Sequence, residues 1–298
     1  MTTTSFDNRD GLLWYDGELV PWREAKTHVL THALHYASSV FEGERIYSGR
    51  IYKLEEHTAR LFESARILGM TIPYTEEAIN RASRAVCEAQ NLDEGYVRPV
   101  IFRGSEQMGV AATLARIHVA IAAWRWSSSF YRAEKLKGIR LMVSKWRRPA
   151  PDTAPTKSKA AGLYMICTMS KHEAEAAGYD DAIMYDYRGF VAEATGANVF
   201  FVQDGKLLTP TADCFLNGIT RRSVIALARS LDIPVIERHI DPEEMNGFSE
   251  CFLTGTATEV TPVSQIAHYR FESGQITETL MNRYLDDVHR PRSAISLR

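Results

Sequence analysis

The sequence predicts an α+β fold in two domains, and three observations lead there. Strands and helices come in blocks instead of regular βαβ alternation, 298 residues suffice for two separately buried cores, and a polar, turn-rich stretch divides them. The boundaries read from this pattern are a small N-terminal domain at 1–126, a linker at 127–137 and a larger C-terminal domain at 138–298.

The first domain opens with LLWYDGELVPW (12–22), in which apolar residues flank Asp16-Gly17, a dipeptide suited to the positive φ of a hairpin turn. A second hairpin is expected around Ser48-Gly49. The segment 55–70 places Leu61, Ala65 and Leu68 on one helical face, and 75–90 repeats the amphipathic pattern behind Pro73. Two strands follow, GYVRPVIFRG (95–104) and IHVAIAAWRW (117–126). The second domain begins with the strand IRLMVSK (139–145), which runs into a proline-rich segment. An amphipathic helix at 163–177 comes next, then a strand at 180–186. FVAEATGANVFFVQDGKLLTP (190–210) reads as two more strands around the Asp204-Gly205 turn. A helix at 221–231 and strands at 233–238 and 250–254 complete the pattern. The tail HRPRSAISLR is expected to be mobile.

Composition narrows the function classes. Hydrophobic residues make up 45% and charged residues 24% of the chain, with a formal net charge of -2, which argues against an electrostatic nucleic-acid or membrane surface. Small molecules are the expected partners. Cys87, Cys167, Cys214 and Cys251 lie far apart without a CxxC pair, disfavouring a zinc site and a disulfide framework and pointing to a reducing, cytoplasmic setting. His28, His32 and His35 stand at helical spacing, but no carboxylate or cysteine set completes a coordination sphere, so no metal is expected.

The chemistry concentrates around PDTAPTKSKAAGLY (151–164), where two lysines stand between a proline-broken entry and a small-residue exit. A lysine followed by Ala-Ala-Gly leaves its amine unscreened and its backbone open to a bulky neighbour, as an imine-forming amine requires. Lys157 and Lys159 compete for that role. Asn217-Gly218-Ile219-Thr220 leads into a helix whose first N–H groups, with the Thr220 hydroxyl, suit an anion. Gly255-Thr256-Ala257-Thr258 offers a second donor-rich turn. Glu193 lies among small residues at a strand end, where a carboxylate needs a partner such as a protonated pyridine nitrogen. With Arg60 and Arg98, these are the parts needed to hold pyridoxal phosphate.

The residues also resemble a family. HALHYASSVFEG (32–43), HTARL (57–61), YVRP (96–99), MGV (108–110), APDTAPTKSKAAGLY (150–164), EATGAN (193–198), NGITR (217–221) and GTATEVTPV (255–263) together resemble the branched-chain amino-acid aminotransferases, pyridoxal-phosphate enzymes of fold type IV. The resemblance spans nearly the whole chain in the family's order. Several of the motifs recur in sister enzymes acting on D-amino acids, primary amines or aminodeoxychorismate, which stand as the alternative.

The resemblance implies a two-domain fold with its site at the domain interface. It also implies transamination between leucine, isoleucine or valine and 2-oxoglutarate, and a homodimer at least, with a hexamer as the larger assembly. It selects Lys159 as the catalytic, cofactor-bearing lysine and makes Lys157 a bystander. Glu193 would bind the ring nitrogen, Tyr164 the 3-oxygen, and Arg60, Ile219, Thr220 and Thr256 the phosphate, with Gly196 and Leu216 beside the cofactor. Tyr96 and the backbone of Thr256 and Ala257 would take the substrate α-carboxylate. Phe41, Tyr36 and Val110 would supply apolar walls, Tyr36 and Val110 from a neighbouring subunit, and Arg98 would accept glutamate's second carboxylate. The chain departs from the family at Ala194, Thr195, Ala197, Asn217 and Glu44, where many relatives have Gly, Ala, Glu, Pro and an aliphatic residue. These departures leave the cofactor contacts in place and bear on substrate preference.

Overall fold

The structure is a computed structural model that describes residues 5–126 and 135–290. The linker expected at 127–137 falls mainly on residues outside that range, as do most of the C-terminal tail and the first four residues. The chain forms two compact units. One comprises Met1–Ser128, Arg148–Met169 and Ala212–Leu216; the other comprises Ser129–Arg147, Ser170–Thr211 and Asn217–Arg298.

The first unit is a seven-stranded sheet carrying two long helices. Its strands are β1 (Leu12–Tyr15), β2 (Glu18–Pro21), β3 (Ser39–Phe41), β4 (Glu44–Tyr47), β5 (Arg50–Ile51), β6 (Gly95–Arg103) and β7 (Ile117–Arg125). They run in the order β2-β1-β7-β6-β4-β5, with β3 also on β6. Both expected hairpins form, and their turns need the positive φ that the sequence suggested: 47° and 111° at Asp16 and Gly17, 49° and 71° at Ser48 and Gly49. The short helix α1 (His32–Tyr36) precedes β3, and α2 (Leu54–Ile67) and α3 (Glu76–Ala89) follow the second hairpin. Thr75 caps α3 by accepting from the Ala78 N–H.

The core of this unit follows from the two periodicities. Leu61 and Ala65 on α2, Ile79 and Val86 on α3, and Val97, Ile101, Val119 and Ile121 on the sheet are fully buried in one cluster, each large side chain contributing about 1.5–3 kcal/mol. Ala160 belongs to the same cluster and bridges Val40 of β3. This packing is why the segment with Lys159 joins the first unit, whereas the division by sequence range places it at 138–298.

The second unit is a nine-stranded sheet. Its strands are β8 (Ile139–Val143), β9 (Asp181–Tyr185), β10 (Val191–Ala194), β11 (Asn198–Gln203), β12 (Lys206–Pro210), β13 (Val235–Arg238), β14 (Glu250–Gly255), β15 (Glu259–Ile266) and β16 (Tyr269–Arg270). The order is β10-β9-β8-β15-β14-β11-β12-β13, and a further β10–β11 pairing closes six of these strands into a ring. Leu141, Ile183, Val199, Leu253 and Val263 from the ring strands are buried in its core. The stretch 190–210 holds three strands, not the two expected, because Thr195-Gly196-Ala197 turns the chain back on itself. Glu193 pairs with Asn198, and the Ala194 N–H donates to the Ala197 carbonyl at 2.8 Å. The remaining α-helices of the described residues are α4 (Met165–Ala176), α5 (Ile219–Ser230) and α6 (Gln275–His289). The helix expected at 221–231 starts two residues earlier, at the anion-suited turn itself.

Candidate active site

Lys159 is held at both ends of its peptide unit. Its N–H donates to the Ser64 hydroxyl of α2 at 2.9 Å, and its carbonyl accepts from the Phe41 N–H of β3 at 3.2 Å. The side chain is half-buried, and Nζ donates to the Tyr164 hydroxyl at 2.7 Å. Lys157, two residues earlier, is exposed while Thr156 and Ser158 beside it are buried. Packing of the Lys159 peptide against α2 and β3 thus separates two lysines that composition alone left equal.

Around the amine stands an aromatic wall. Phe41 packs edge-on against Tyr164 with ring centroids 4.8 Å apart, and Lys159 Nζ lies 5.0 Å from the Phe41 ring centre. The Arg98 guanidinium also lies against Phe41, at 4.8 Å from the ring centre, and reaches the Tyr96 hydroxyl at 3.4 Å. The register explains this grouping: Tyr96 and Arg98 are two apart on β6, hence on one face, and β3 places Phe41 opposite Val100. Gly43 is required between β3 and β4, because a Cβ there would fall 1.9 Å from the Tyr96 hydroxyl oxygen.

Next to this wall lies a buried ionic group. Glu42, with no exposure, accepts from Arg60 Nε at 2.6 Å and Nη2 at 2.9 Å, and from His57 Nδ1 at 2.6 Å. His57 and Arg60 stand three apart on α2 and so share a face. Burial pushes the Glu42 carboxyl up, but Arg60 and then His57 outweigh it and hold the group below its ordinary range. Burial lowers His57 in spite of the opposing pull of Glu42. Arg60 retains Nη1 for another acceptor.

In the second unit, Asn198 joins two expected elements. Its Nδ2 donates to Glu193 Oε2 at 3.1 Å, and its Oδ1 accepts from the Gly218 N–H at 3.1 Å, just before α5. A Cβ at Gly218 would fall 2.3 Å from that Oδ1, so any larger residue would have to displace the Asn198 amide. Gly218 caps α5 without a side-chain hydrogen bond and the first turn carries no acidic residue. The N–H groups of Ile219 and Thr220 therefore lack the carbonyl partners that later residues have, which is the donor set of an anion site. The β11–β14 register sets Asn198 against Thr254 and so brings the Thr256-Ala257 turn close. Gly255 approaches the Gly196 carbonyl, 3.3 Å from where its own Cβ would be.

A model of the family described as "Amino-transferase class IV" matches residues 39–266. The chain belongs to the class IV aminotransferases. This aminotransferase is 42% identical over 291 residues to the branched-chain-amino-acid aminotransferase of Pseudomonas aeruginosa, covering 95% of each chain. It is 40% identical to the enzyme of that name from Escherichia coli K12, covering 89% of this chain and 87% of that one. Among solved structures, the T.th. branched-chain amino acid aminotransferase with pyridoxamine 5'-phosphate is similar at a TM-score of 0.92 and 38% identity, covering 95% of this chain and 96% of that one. The Escherichia coli branched-chain enzyme gives 0.89 at 37%, covering 93% and 94%.

Of the expected site residues in this aminotransferase, the structure groups Lys159, Tyr164, Phe41, Arg98 and Tyr96 in the first unit, and Glu193, Gly196, Ile219, Thr220, Thr256 and Ala257 in the second. Leu216 is half-buried. Tyr36 and Val110 are exposed, at 44% and 86%; Tyr36 stacks on His32, whose Nε2 meets the carbonyl of Gly109, beside Val110. His32 is buried, with both ring nitrogens within hydrogen-bond reach of protein oxygens, the Ser38 hydroxyl and the Gly109 carbonyl. Residues missed from sequence are Glu42, His57, Ser64 and Asn198. The i, i+3 spacing of His57 and Arg60 was the available signal for the first pair. Ser64 and Asn198 carried none, since their partners are distant along the chain or across a turn.

Proposed function

We propose that this protein transfers the amino group of leucine, isoleucine or valine to 2-oxoglutarate, giving branched 2-oxo acids and L-glutamate. The observation that carries the reading is the half-buried Lys159 amine, 2.7 Å from a phenol and faced by an aromatic wall that ends in Arg98. A solved relative is complexed with N-(5'-phosphopyridoxyl)-L-glutamate, which supports glutamate as one substrate of the class.

The cofactor is pyridoxal 5'-phosphate, and the side chains fit it: an amine beside a phenol, a carboxylate held by an asparagine amide, and an uncapped helix start. When bound, it supplies an aldehyde for amine exchange and a ring that accepts electrons from the substrate α-carbon. Lys159 Nζ would carry the proton from the α-carbon, acting as base and then acid. Tyr164 would hold that amine in place through its hydroxyl. Glu193 would keep a proton on the ring nitrogen, oriented by Asn198. Ile219, Thr220 and Thr256, with Arg60, would bind the phosphate, and Gly196 and Leu216 would flank it. Tyr96 and the Thr256-Ala257 backbone would fix the α-carboxylate.

One pocket must accept both an aliphatic side chain and a second carboxylate. Phe41 provides the apolar surface, and Arg98 stands over it as the cation. Tyr36 and Val110 would complete the wall from a second copy, so the working form would be a homodimer at least. The exposed Val29, Leu34, Tyr36, Val110 and Leu114 of the first unit support such a contact. All four cysteines are buried, in keeping with a cytoplasmic protein. Among the described residues no helix is long and apolar enough to cross a membrane.

A donor panel with 2-oxoglutarate, followed in the visible spectrum, tests the reading. Leucine, isoleucine and valine are expected to convert the cofactor spectrum and yield glutamate. Preferential turnover of D-amino acids or primary amines overturns the substrate class, and a colourless protein that gains no absorbance from added cofactor overturns the chemistry.

A further inference from the structure

We propose that Ser64 of α2 is a positioning residue for the Lys159 amine, setting the peptide from which the lysine side chain rises. Resting on the pyridoxal-phosphate reading above, the proposal concerns a residue to which that reading gives no role.

Ser64 is fully buried and makes two contacts with the lysine segment. Its hydroxyl accepts from the Lys159 N–H at 2.9 Å, and its carbonyl accepts from the Ser158 hydroxyl at 3.0 Å. With the Phe41 N–H on the Lys159 carbonyl at 3.2 Å, both polar groups of the lysine backbone are committed. A lysine side chain has about 2 kcal/mol of rotamer freedom to lose. Fixing its root narrows the volume that Nζ sweeps and favours the position beside Tyr164.

The same helix carries Arg60 one i, i+4 step before Ser64, so the two side chains share a face about 6 Å apart along the axis. A single rigid element thus supports both the amine and an arginine assigned to the phosphate. A buried alanine would fill the helix interior at lower cost, yet would leave the Lys159 N–H without this acceptor.

The test compares two ligands on purified protein freed of cofactor. With pyridoxal 5'-phosphate the Lys159 amine displaces the aldehyde oxygen, an N–C bond forms and one water leaves. Pyridoxamine 5'-phosphate has an amine in place of the aldehyde and can bind only non-covalently. We expect S64A to weaken the aldehyde about tenfold, the scale of one lost buried hydrogen bond, with the amine's Kd changed by less than about twofold. Borohydride trapping followed by peptide mass spectrometry should show slower labelling of Lys159 in the variant.

Equal weakening of both ligands, or no change in either, overturns the proposal in favour of a merely structural serine. If S64A does not fold, S158A removes the second tether without altering α2, and the same selective loss is required of it. Failure of the unsubstituted protein to bind either ligand overturns the cofactor reading instead, which keeps the two failures distinct.

Discussion

Glu42 and Arg60 form a forked ion pair, Nε and Nη2 meeting the two carboxylate oxygens at 2.6 and 2.9 Å with the carboxylate wholly shielded from solvent. A buried carboxylate is stable only while its partners remain, so the pair ties the loop between β3 and β4 to α2. That loop carries Gly43 and follows directly on Phe41, and the helix carries Ser64. The ionic group beside the aromatic wall therefore supports the geometry of the wall itself.

Removing either partner should be costly. R60M leaves Glu42 buried with His57 as its remaining partner, and the expected loss is about 3–5 kcal/mol, read from the urea midpoint. In the unsubstituted protein the Glu42 carboxyl is held below its ordinary value of 4.5. Its stabilisation is present above that value and disappears as pH falls through the lower folded value. E42Q should therefore remove part of the acid dependence of stability below pH 4.5, measured by thermal melts across an acid series.

Glu44 behaves in the opposite sense. Burial, reinforced by Glu42, raises its carboxyl well above 4.5, against the pull of Arg60, and Oε2 has no hydrogen-bond partner. The folded chain keeps a proton that the unfolded chain releases above 4.5, so this group makes stability fall as pH rises. E44Q, a neutral isostere, should melt higher than the parent at about pH 8 and gain less at about pH 5. An equal difference at both pH values would refute this assignment.

The two lysines should separate cleanly. K159A is expected to abolish the visible absorbance of the covalently attached cofactor and borohydride labelling, whereas K157A, at an exposed position, should retain both. Absorbance spectra and intact mass after reduction provide the measurement.

E193Q tests the ring-nitrogen role. The amide cannot hold a proton on the ring as a carboxylate does, so kcat should fall on the order of a hundredfold, while Lys159 stays reducible onto the cofactor. Single-turnover kinetics with leucine would show whether the loss lies in the proton-transfer step. An unchanged rate removes Glu193 from the mechanism.

Much of the fold was legible because local rules govern it. The turns at 16–17, 48–49 and 204–205 adopt positive φ at both residues, as Asp-Gly and Ser-Gly suggest, and the faces of α2 and α3 follow the 3.6-residue period. What escaped reading depends on non-local pairing. The reversal at 195–197 creates an extra strand because Glu193 finds Asn198, and Ala160 joins the first core because β3 accepts it.

Short windows of the chain were enough for the α+β class, the hairpins, the two amphipathic helices and the residue types that pyridoxal chemistry needs, and the motifs pointed to the family. In such windows periodicity, turn chemistry and residue identity act without distant partners. Folding in three dimensions was needed to leave Lys159 half-buried beside Tyr164 while Lys157 faces solvent, to join Glu42 with His57 and Arg60, and to set Ser64 under the lysine backbone. These arrangements depend on how segments pack against one another, set by strand register and by the requirement that buried polar groups find partners.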